Sequence, residues 1–186
     1  MQLGEDTITM SMTLNPVNEA AFQKAVQSLE TLNRAAVFHP TGTGKSCIAW
    51  KVVEAHPQTT FFWLVAGAQR LALRQAELTR YNGGILPGNV RFCDCEKLAA
   101  ATPEQWVRLG EQKPGCIVLD CYHELSAVCW AQSVQKLLRM CPQAKVLGLG
   151  VPNGAPVCAA AQELFADCIV SHMTVAEAMA AGTMPV

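Results

Sequence analysis

A short glycine-containing segment carries the clearest chemical pattern in this 186-residue sequence. It follows the apolar run 36–38 and precedes a stretch with helical spacing. Its two glycines allow a tight loop whose backbone N–H groups point inward, where they bind phosphate oxygens. At its end, a lysine can bind the negative charge of a phosphate, and a serine hydroxyl can ligate Mg²⁺. We therefore predict a phosphate-binding loop formed by His39, Pro40, Thr41, Gly42, Thr43, Gly44, Lys45 and Ser46.

This loop departs from the strict phosphate-loop pattern at one position, because His39 stands where the pattern has glycine. The alternative interpretation is a surface loop of glycine and threonine that happens to precede a helix. The order strand, glycine loop, Gly-Lys-Ser and helix favours the phosphate loop, since the new helix adds its positive N-terminal end. Lys45 would then reach the outer phosphates of a nucleotide, and the Ser46 hydroxyl would ligate Mg²⁺.

The composition is that of a compact, well-buried domain. Hydrophobic residues make up 51% of the chain and charged residues 16%, which argues against disorder. The formal net charge of −1 provides no overall positive field for nucleic acid or an anionic membrane, although a local basic patch stays open. We expect one ordinary domain.

The nine cysteines are scattered and include no pair of Cys-x-x-Cys units, so the sequence does not favour a zinc ribbon. The N-terminus is polar and acidic, unlike a signal peptide. No apolar run approaches the about 18 residues that a membrane helix needs. We predict a cytoplasmic protein without membrane contact, whose cysteines stay reduced and pack as small apolar residues.

Apolar runs of strand length alternate with amphipathic segments along the chain. This alternation predicts an α/β fold with a mostly parallel sheet and helices on both faces. Residues 1–14 are expected to form a loosely attached arm and residues 15–186 a single domain, and the four tryptophans are expected to pack in its interior. The predicted strands are 36–38, 61–65, 90–93, 116–120 and 145–149; the predicted helices are 17–32, one from Lys45 to before Pro57, one around 71–78, 95–101, 103–109, 127–140, 157–166 and 174–181.

An acid at the end of a strand is the expected partner of the phosphate loop. Asp120 ends the apolar run 116–120, and the carboxyl ends of parallel strands share the edge where ligands bind. We predict that Asp120 and Ser46 together hold Mg²⁺. A strand-end aspartate that caps a helix is the alternative, and it is common.

With these residues in view, the chain resembles the first RecA-like domain of bacterial DEAD/DEAH-box, superfamily-two helicases. The resemblance implies a RecA-like P-loop NTPase domain that binds ATP and Mg²⁺ and forms one half of a nucleic-acid motor acting on DNA or RNA. Only the phosphate-loop motif is specific by itself. The other matching segments support the resemblance because they follow the family's order along the chain. The matching segments are 15–21, 35–46, 62–65 with Gln75, 90–92 with Lys97 and Leu98, 117–123 with Trp130, 147–149, 163–165, and 174–178 with Gly182 and Pro185.

The departures from the family pattern concern hydrolysis. In the family's Asp-Glu-x-His box the glutamate is the general base, and this chain keeps Asp120 and His123 but has Cys121 between them. A neutral thiol accepts a hydrogen bond poorly, and losing such a base costs about 10²–10⁴ in rate. Glu124 lies near the box, but not at the family's position. The third motif, which carries hydroxyls in the family, is replaced by residues 150–152, Gly-Val-Pro.

The resemblance also implies a second RecA-like domain, which closes the ATP site with arginines. A length of 186 residues leaves no room for it, so we expect a partner chain or second domain to supply it. The favoured hypothesis is an ATP-binding helicase domain with impaired hydrolysis in isolation. The alternative is a non-catalytic ATP-binding or protein-interaction module, and a small-molecule kinase is less favoured because no lid is evident. The basic residues expected to be solvated surface are Arg70, Arg74, Arg80, Arg91 and Lys97.

Overall fold

The computed structural model describes residues 12–152 and 159–184. The arm predicted at residues 1–14 and the start of the helix predicted at 157–166 therefore lie partly outside the described residues. Strands and helices alternate, as the apolar pattern predicts. The strands are β1 (Arg34–Phe38), β2 (Phe61–Val65), β3 (Val90–Asp94), β4 (Cys116–Asp120), β5 (Lys145–Gly150) and β6 (Ile169–His172). The helices are α1 (Pro16–Thr31), α2 (Lys45–Ala55), α3 (Ala68–Tyr81), α4 (Cys95–Ala99), α5 (Pro103–Glu111), α6 (Ala127–Cys129), α7 (Lys136–Met140), α8 (Ala159–Phe165) and α9 (Val175–Ala180).

The six strands form one all-parallel sheet in the order β3-β2-β4-β5-β1-β6. Every residue of β2 and β4 is buried, because helices cover both faces of the sheet. Alternate residues of a strand enter different cores: Trp63 belongs to the core that includes residues of α1, α2 and α3, and Leu64 belongs to the core on the opposite face. The protein is thus an α/β fold with a parallel sheet between two helical layers, consistent with a Rossmann-like or RecA-like arrangement.

The connections leaving β1 and β5 run in opposite directions across the sheet. From β1 the chain passes over β5 and β4 to reach β2, whereas from β5 it passes over β1 to reach β6. Because β1 and β5 are neighbours, their carboxyl ends form a topological switch point, where open α/β sheets bind ligands. The predicted phosphate loop follows β1 at this point.

The strand β6 was not predicted from the sequence. Its four residues are exposed or half-buried at the edge of the sheet, so they lack the continuous apolar pattern of an interior strand. Pairing with β1 defines it instead, and the Met173 N–H donates to the Phe38 carbonyl just beyond it.

The helix predicted at 127–140 is present, with one interruption. A π-helical segment, Trp130–Gln135, separates α6 from α7. Its Ser133 hydroxyl donates to the Cys129 carbonyl, as a serine inside a helix often does. The other predicted helices and strands are confirmed within a few residues at each end, except that the start of the helix predicted at 157–166 lies outside the described residues. All four tryptophans are buried, as expected.

Candidate phosphate-binding site

The predicted loop has the backbone that its glycines suggested. It joins β1 to α2, and both Gly42 and Gly44 adopt left-handed conformations, with φ of 87° and 86°. Side chains are strained at such angles. A Cβ on Gly44 would also lie 2.9 Å from the Asn18 Nδ2 atom, so glycine is required there on two grounds.

Hydrogen bonds inside the loop and from α1 hold its shape. The Thr43 hydroxyl donates to the Pro40 carbonyl at 2.8 Å, and the Asn18 side-chain amide donates to the Thr43 carbonyl at 2.8 Å. Asn18 is only 3% exposed, and the buried Thr43 lies beneath the loop surface. The helix α1 therefore positions the loop, a role that the sequence pattern did not assign to Asn18.

Lys45 begins α2 and lies over the loop. Its Nζ donates to the carbonyls of His39 and Pro40, each at 2.8 Å, and the residue is 8% exposed. Burial lowers the pKa of Lys45 from its ordinary value, and the nearby Cys121 and Asp120 oppose that shift. The third ammonium hydrogen has no partner in the described residues, so it can be donated to an anion in the loop.

His39 anchors the loop instead of facing the ligand cleft. It is completely buried, and its Nε2 lies 2.7 Å from the Ser171 hydroxyl of β6. Burial, followed by the charges of Lys45 and His172, lowers the pKa of His39 to about 4. The imidazole is therefore neutral at pH 7, and it ties the start of the loop to the edge strand.

We predict that His39 makes stability fall in mild acid. The pKa of His39 is about 4 in the folded chain, whereas an unperturbed histidine, as in the unfolded chain, has a pKa of 6.5. Between these two pH values the unfolded chain therefore binds more protons than the folded chain. Stability contributed by His39 is therefore present above pH 6.5 and is lost as the pH falls toward 4. Urea unfolding at pH 7 and pH 5 should differ by about 2 kcal/mol from this group. His39→Gln keeps a hydrogen-bonding side chain but does not titrate in this range, so its free energy of unfolding should change less between pH 7 and pH 5 than that of wild type. An equal change in wild type and variant would contradict the prediction.

Asp120 lies at the carboxyl end of β4, as predicted, and is 3% exposed. The in-register pairing of β2 with β4 places Trp63 diagonally across from it on the same face of the sheet. The Trp63 indole N–H donates to Asp120 Oδ2 at 3.1 Å. Thus Trp63, expected to serve only as packing, also holds the acid in place.

Arg74 of α3 pairs with Asp120, which corrects its prediction as solvated surface. Its Nε lies 2.6 Å from Asp120 Oδ2 without hydrogen-bond alignment, so the contact is a close ion pair. The guanidinium also pairs through Nη1 with Glu77, and the side chain is only 18% exposed. Burial opposes ionisation, but the Asp120 and Glu77 charges raise the pKa of Arg74. The i, i+3 spacing of Arg74 and Glu77 was visible in the sequence, but their proximity to Asp120 was not.

Cys121 follows Asp120 in a left-handed backbone conformation, with φ of 55°. Burial and the Asp120 charge raise the pKa of Cys121 to about 11. The thiol is therefore neutral at physiological pH, and it lacks the charge of the glutamate that the resemblance would place there.

His123 and Glu124 turn away into a short 3₁₀ helix. Glu124 pairs with Arg70 and lies 3.5 Å from the His123 Nε2. Burial, together with the Lys45 and Arg70 charges, lowers the pKa of His123. Neither residue lines the cleft beside the loop, so Glu124 does not take the place of the missing base.

The loop, α3 and the end of β4 enclose a cleft of about 370 Å³. The cleft thus joins the predicted loop to the predicted acid, and it adds residues of α3 that the sequence did not indicate. Its lining consists of Thr41, Gly42, Gly44, Lys45, Ser46 and Cys47 from the loop and α2, Leu73, Arg74, Glu77 and Tyr81 from α3, and Asp120 and Cys121 at the end of β4.

The Mg²⁺ site predicted at Ser46 and Asp120 stays a prediction, and the arrangement of the acid does not fit it. Both residues line the cleft, but Asp120 Oδ2 is already engaged by Trp63 and Arg74. Across residues 12–152 and 159–184, no group of three or more histidine, cysteine, aspartate or glutamate side chains converges. A divalent ion at this carboxylate would have to share it with the guanidinium or displace the guanidinium from it.

Fold and site together define an α/β protein with a cleft at the carboxyl edge of a parallel sheet. No protein-family model and no curated protein matches the chain. Within the described residues, no helix is both long and apolar enough to cross a bilayer. Function is therefore inferred from the residues of the cleft.

Proposed function

We propose that this chain is an ATP-binding domain derived from a DEAD/DEAH-box type of helicase motor, with impaired hydrolysis. One observation carries the binding proposal. Lys45 is buried at the start of an 11-residue helix, behind a loop whose two glycines have positive φ, and beside a cleft at the switch point of the sheet. Such a loop presents backbone N–H groups, a helix N-terminus and an ammonium group to one anion.

The side chains around the cleft favour binding over turnover. A general base must be able to accept a proton, and the Cys121 thiol, with a pKa of about 11, is neutral and a weak acceptor. Glu124 pairs with Arg70 outside the cleft, and the Glu77 carboxylate inside the cleft pairs with Arg74. The family's third-motif hydroxyls are absent from residues 150–152. These observations support a domain that holds ATP and hydrolyses it slowly.

The helicase assignment rests on the order of the matching segments along the chain and on a parallel sheet of compatible type. It implies that DNA or RNA and a second RecA-like domain, in this chain or a partner, complete the motor. The Arg74–Asp120 ion pair favours the second candidate function, a non-catalytic ATP-binding or interaction module, because it occupies the acid that a motor would use.

Titration with a fluorescent ATP analogue tests the binding proposal. Lys45→Ala should weaken binding by about 10-fold or more, since a hydrogen bond to a charged group is worth roughly 1.5–3 kcal/mol. Lys24→Ala, which removes an exposed lysine from α1, is the matched control and should bind normally. Circular dichroism confirms that both variants fold, and Lys45→Met retains the aliphatic stem. Equal binding by wild type and both Lys45 variants would overturn the proposal.

Phosphate release separates the two candidate functions. The wild-type chain is assayed with ATP alone and with single- and double-stranded DNA and RNA at low and moderate salt. Release stimulated by a nucleic acid supports the helicase motor. ATP binding without stimulated release supports the non-catalytic module.

A further inference from the structure

We infer that the cleft binds the phosphates of its nucleotide without a divalent cation, with the Arg74 guanidinium supplying the positive charge that Mg²⁺ would otherwise provide. This inference rests on the proposed nucleotide binding and concerns how the same site neutralises its ligand. Three features of the described residues support it: Asp120 already has partners within the protein, Arg74 lines the cleft, and the Arg74 guanidinium keeps N–H donors for a ligand.

Asp120 is committed to partners within the protein. It is 3% exposed, and its Oδ2 faces both the Trp63 indole at 3.1 Å and the Arg74 Nε at 2.6 Å. A divalent ion at this carboxylate would force two cations together or expel the guanidinium. Expelling it would separate a buried ion pair, which is strongly unfavourable.

Arg74 faces the same cleft as the loop. The helix α3 packs on β2 and β3, and its Arg74 lines the cleft together with Lys45, Gly42 and Gly44. The guanidinium is therefore held between a buried acid and the space that the phosphates would fill. Asp120 acts as the positioning residue for this cation.

The guanidinium retains donors for a ligand. Nε faces Asp120 and Nη1 faces Glu77, whereas Nη2 has no partner among the described residues. Arginine presents its N–H groups in a planar fork that matches two phosphate oxygens. The carboxylates of Asp120 and Glu77 offset the positive charges of Lys45 and Arg74. We therefore expect selective binding of the nucleotide phosphates with modest affinity.

Titration of a fluorescent ATP analogue in excess Mg²⁺ and in EDTA tests the inference. Wild-type affinity should agree within about 3-fold in the two conditions. Arg74→Gln should weaken binding in EDTA by about 10-fold, the value of a lost charged hydrogen bond, and Mg²⁺ should partly restore it because Asp120 is then free. Arg74→Lys keeps the charge and should bind in EDTA better than Arg74→Gln. Arg108→Gln, an exposed change on α5, is the matched control.

The possible outcomes distinguish the two proposals. Wild-type binding that weakens more than about 3-fold in EDTA would overturn this inference and leave nucleotide binding intact. No binding in either condition would overturn both. The paramagnetic signal of Mn²⁺ gives a second readout without nucleotide: Arg74→Gln, which frees Asp120, should bind the ion more tightly than wild type. Mn²⁺ binding by wild type that Asp120→Asn abolishes would also overturn the inference.

Discussion

Asp120→Ala is expected to lower the free energy of unfolding by about 3 kcal/mol, because it leaves a buried arginine without its main partner. Arg74 is 18% exposed on its side chain, so the expected loss lies at the lower end of the range for buried pairs. The Trp63 indole N–H loses its acceptor in the same variant. Urea unfolding at pH 7, followed by tryptophan fluorescence, measures the change.

Matched variants identify the origin of this loss. Asp120→Asn keeps an acceptor for Trp63 but removes the charge, so it should be less destabilising than Asp120→Ala. In a double-mutant cycle, Asp120→Ala and Arg74→Met should show a coupling of at least about 1 kcal/mol, as expected for residues in direct contact. A loss below 1 kcal/mol for Asp120→Ala, with no coupling, would show that the ion pair contributes little.

Cys121→Glu is expected to raise the rate of phosphate release by about 10²-fold, the lower end of the contribution of a general base. The native thiol is neutral, since its pKa is about 11, whereas a carboxylate at the same position can accept a proton. The rate is measured with ATP in the presence and absence of DNA and RNA. Cys121→Gln has the same size without a basic carboxylate and should stay at the native rate.

Arg74 can conceal the increase in phosphate release expected of Cys121→Glu. It lines the same cleft, so its guanidinium can pair with the new carboxylate and prevent it from acting as a base. The comparison is therefore repeated in the Arg74→Gln background, where no guanidinium competes. Cys121→Glu that matches Cys121→Gln in both backgrounds would show that the missing base is not what limits turnover.

The interior strands β2 and β4 were predictable from the sequence because every one of their residues is apolar or lies at the ligand edge. The apolar runs 61–65 and 116–120 coincide with β2 and β4, both buried along their whole length. Residues 169–172 gave no such signal, since an edge strand has one neighbour and only partial cover. Its pairing with β1 nevertheless matters to the site, because Ser171 is the partner of His39.

The glycine loop at residues 39–46 is the part of the candidate site that the sequence came closest to determining by itself. Its conformation depends on local chemistry: glycines that accept positive φ, a helix that begins at Lys45, and a lysine long enough to fold back over six residues. Contacts between neighbours in the chain thus favour this shape, and Asn18 and Ser171 then hold the loop in place. The position of Asp120 was also predictable, since a strand-end acid reaches the ligand edge of any parallel sheet.

Only the tertiary structure decided what Asp120 does there. Trp63 and Arg74 lie 57 and 46 positions before it in the sequence, and they meet it because β2 pairs with β4 in one register while α3 covers the same face. Strand order and register depend on the packing of the whole core and leave no local pattern. The tertiary structure therefore pairs the acid predicted as a metal ligand with a largely buried arginine.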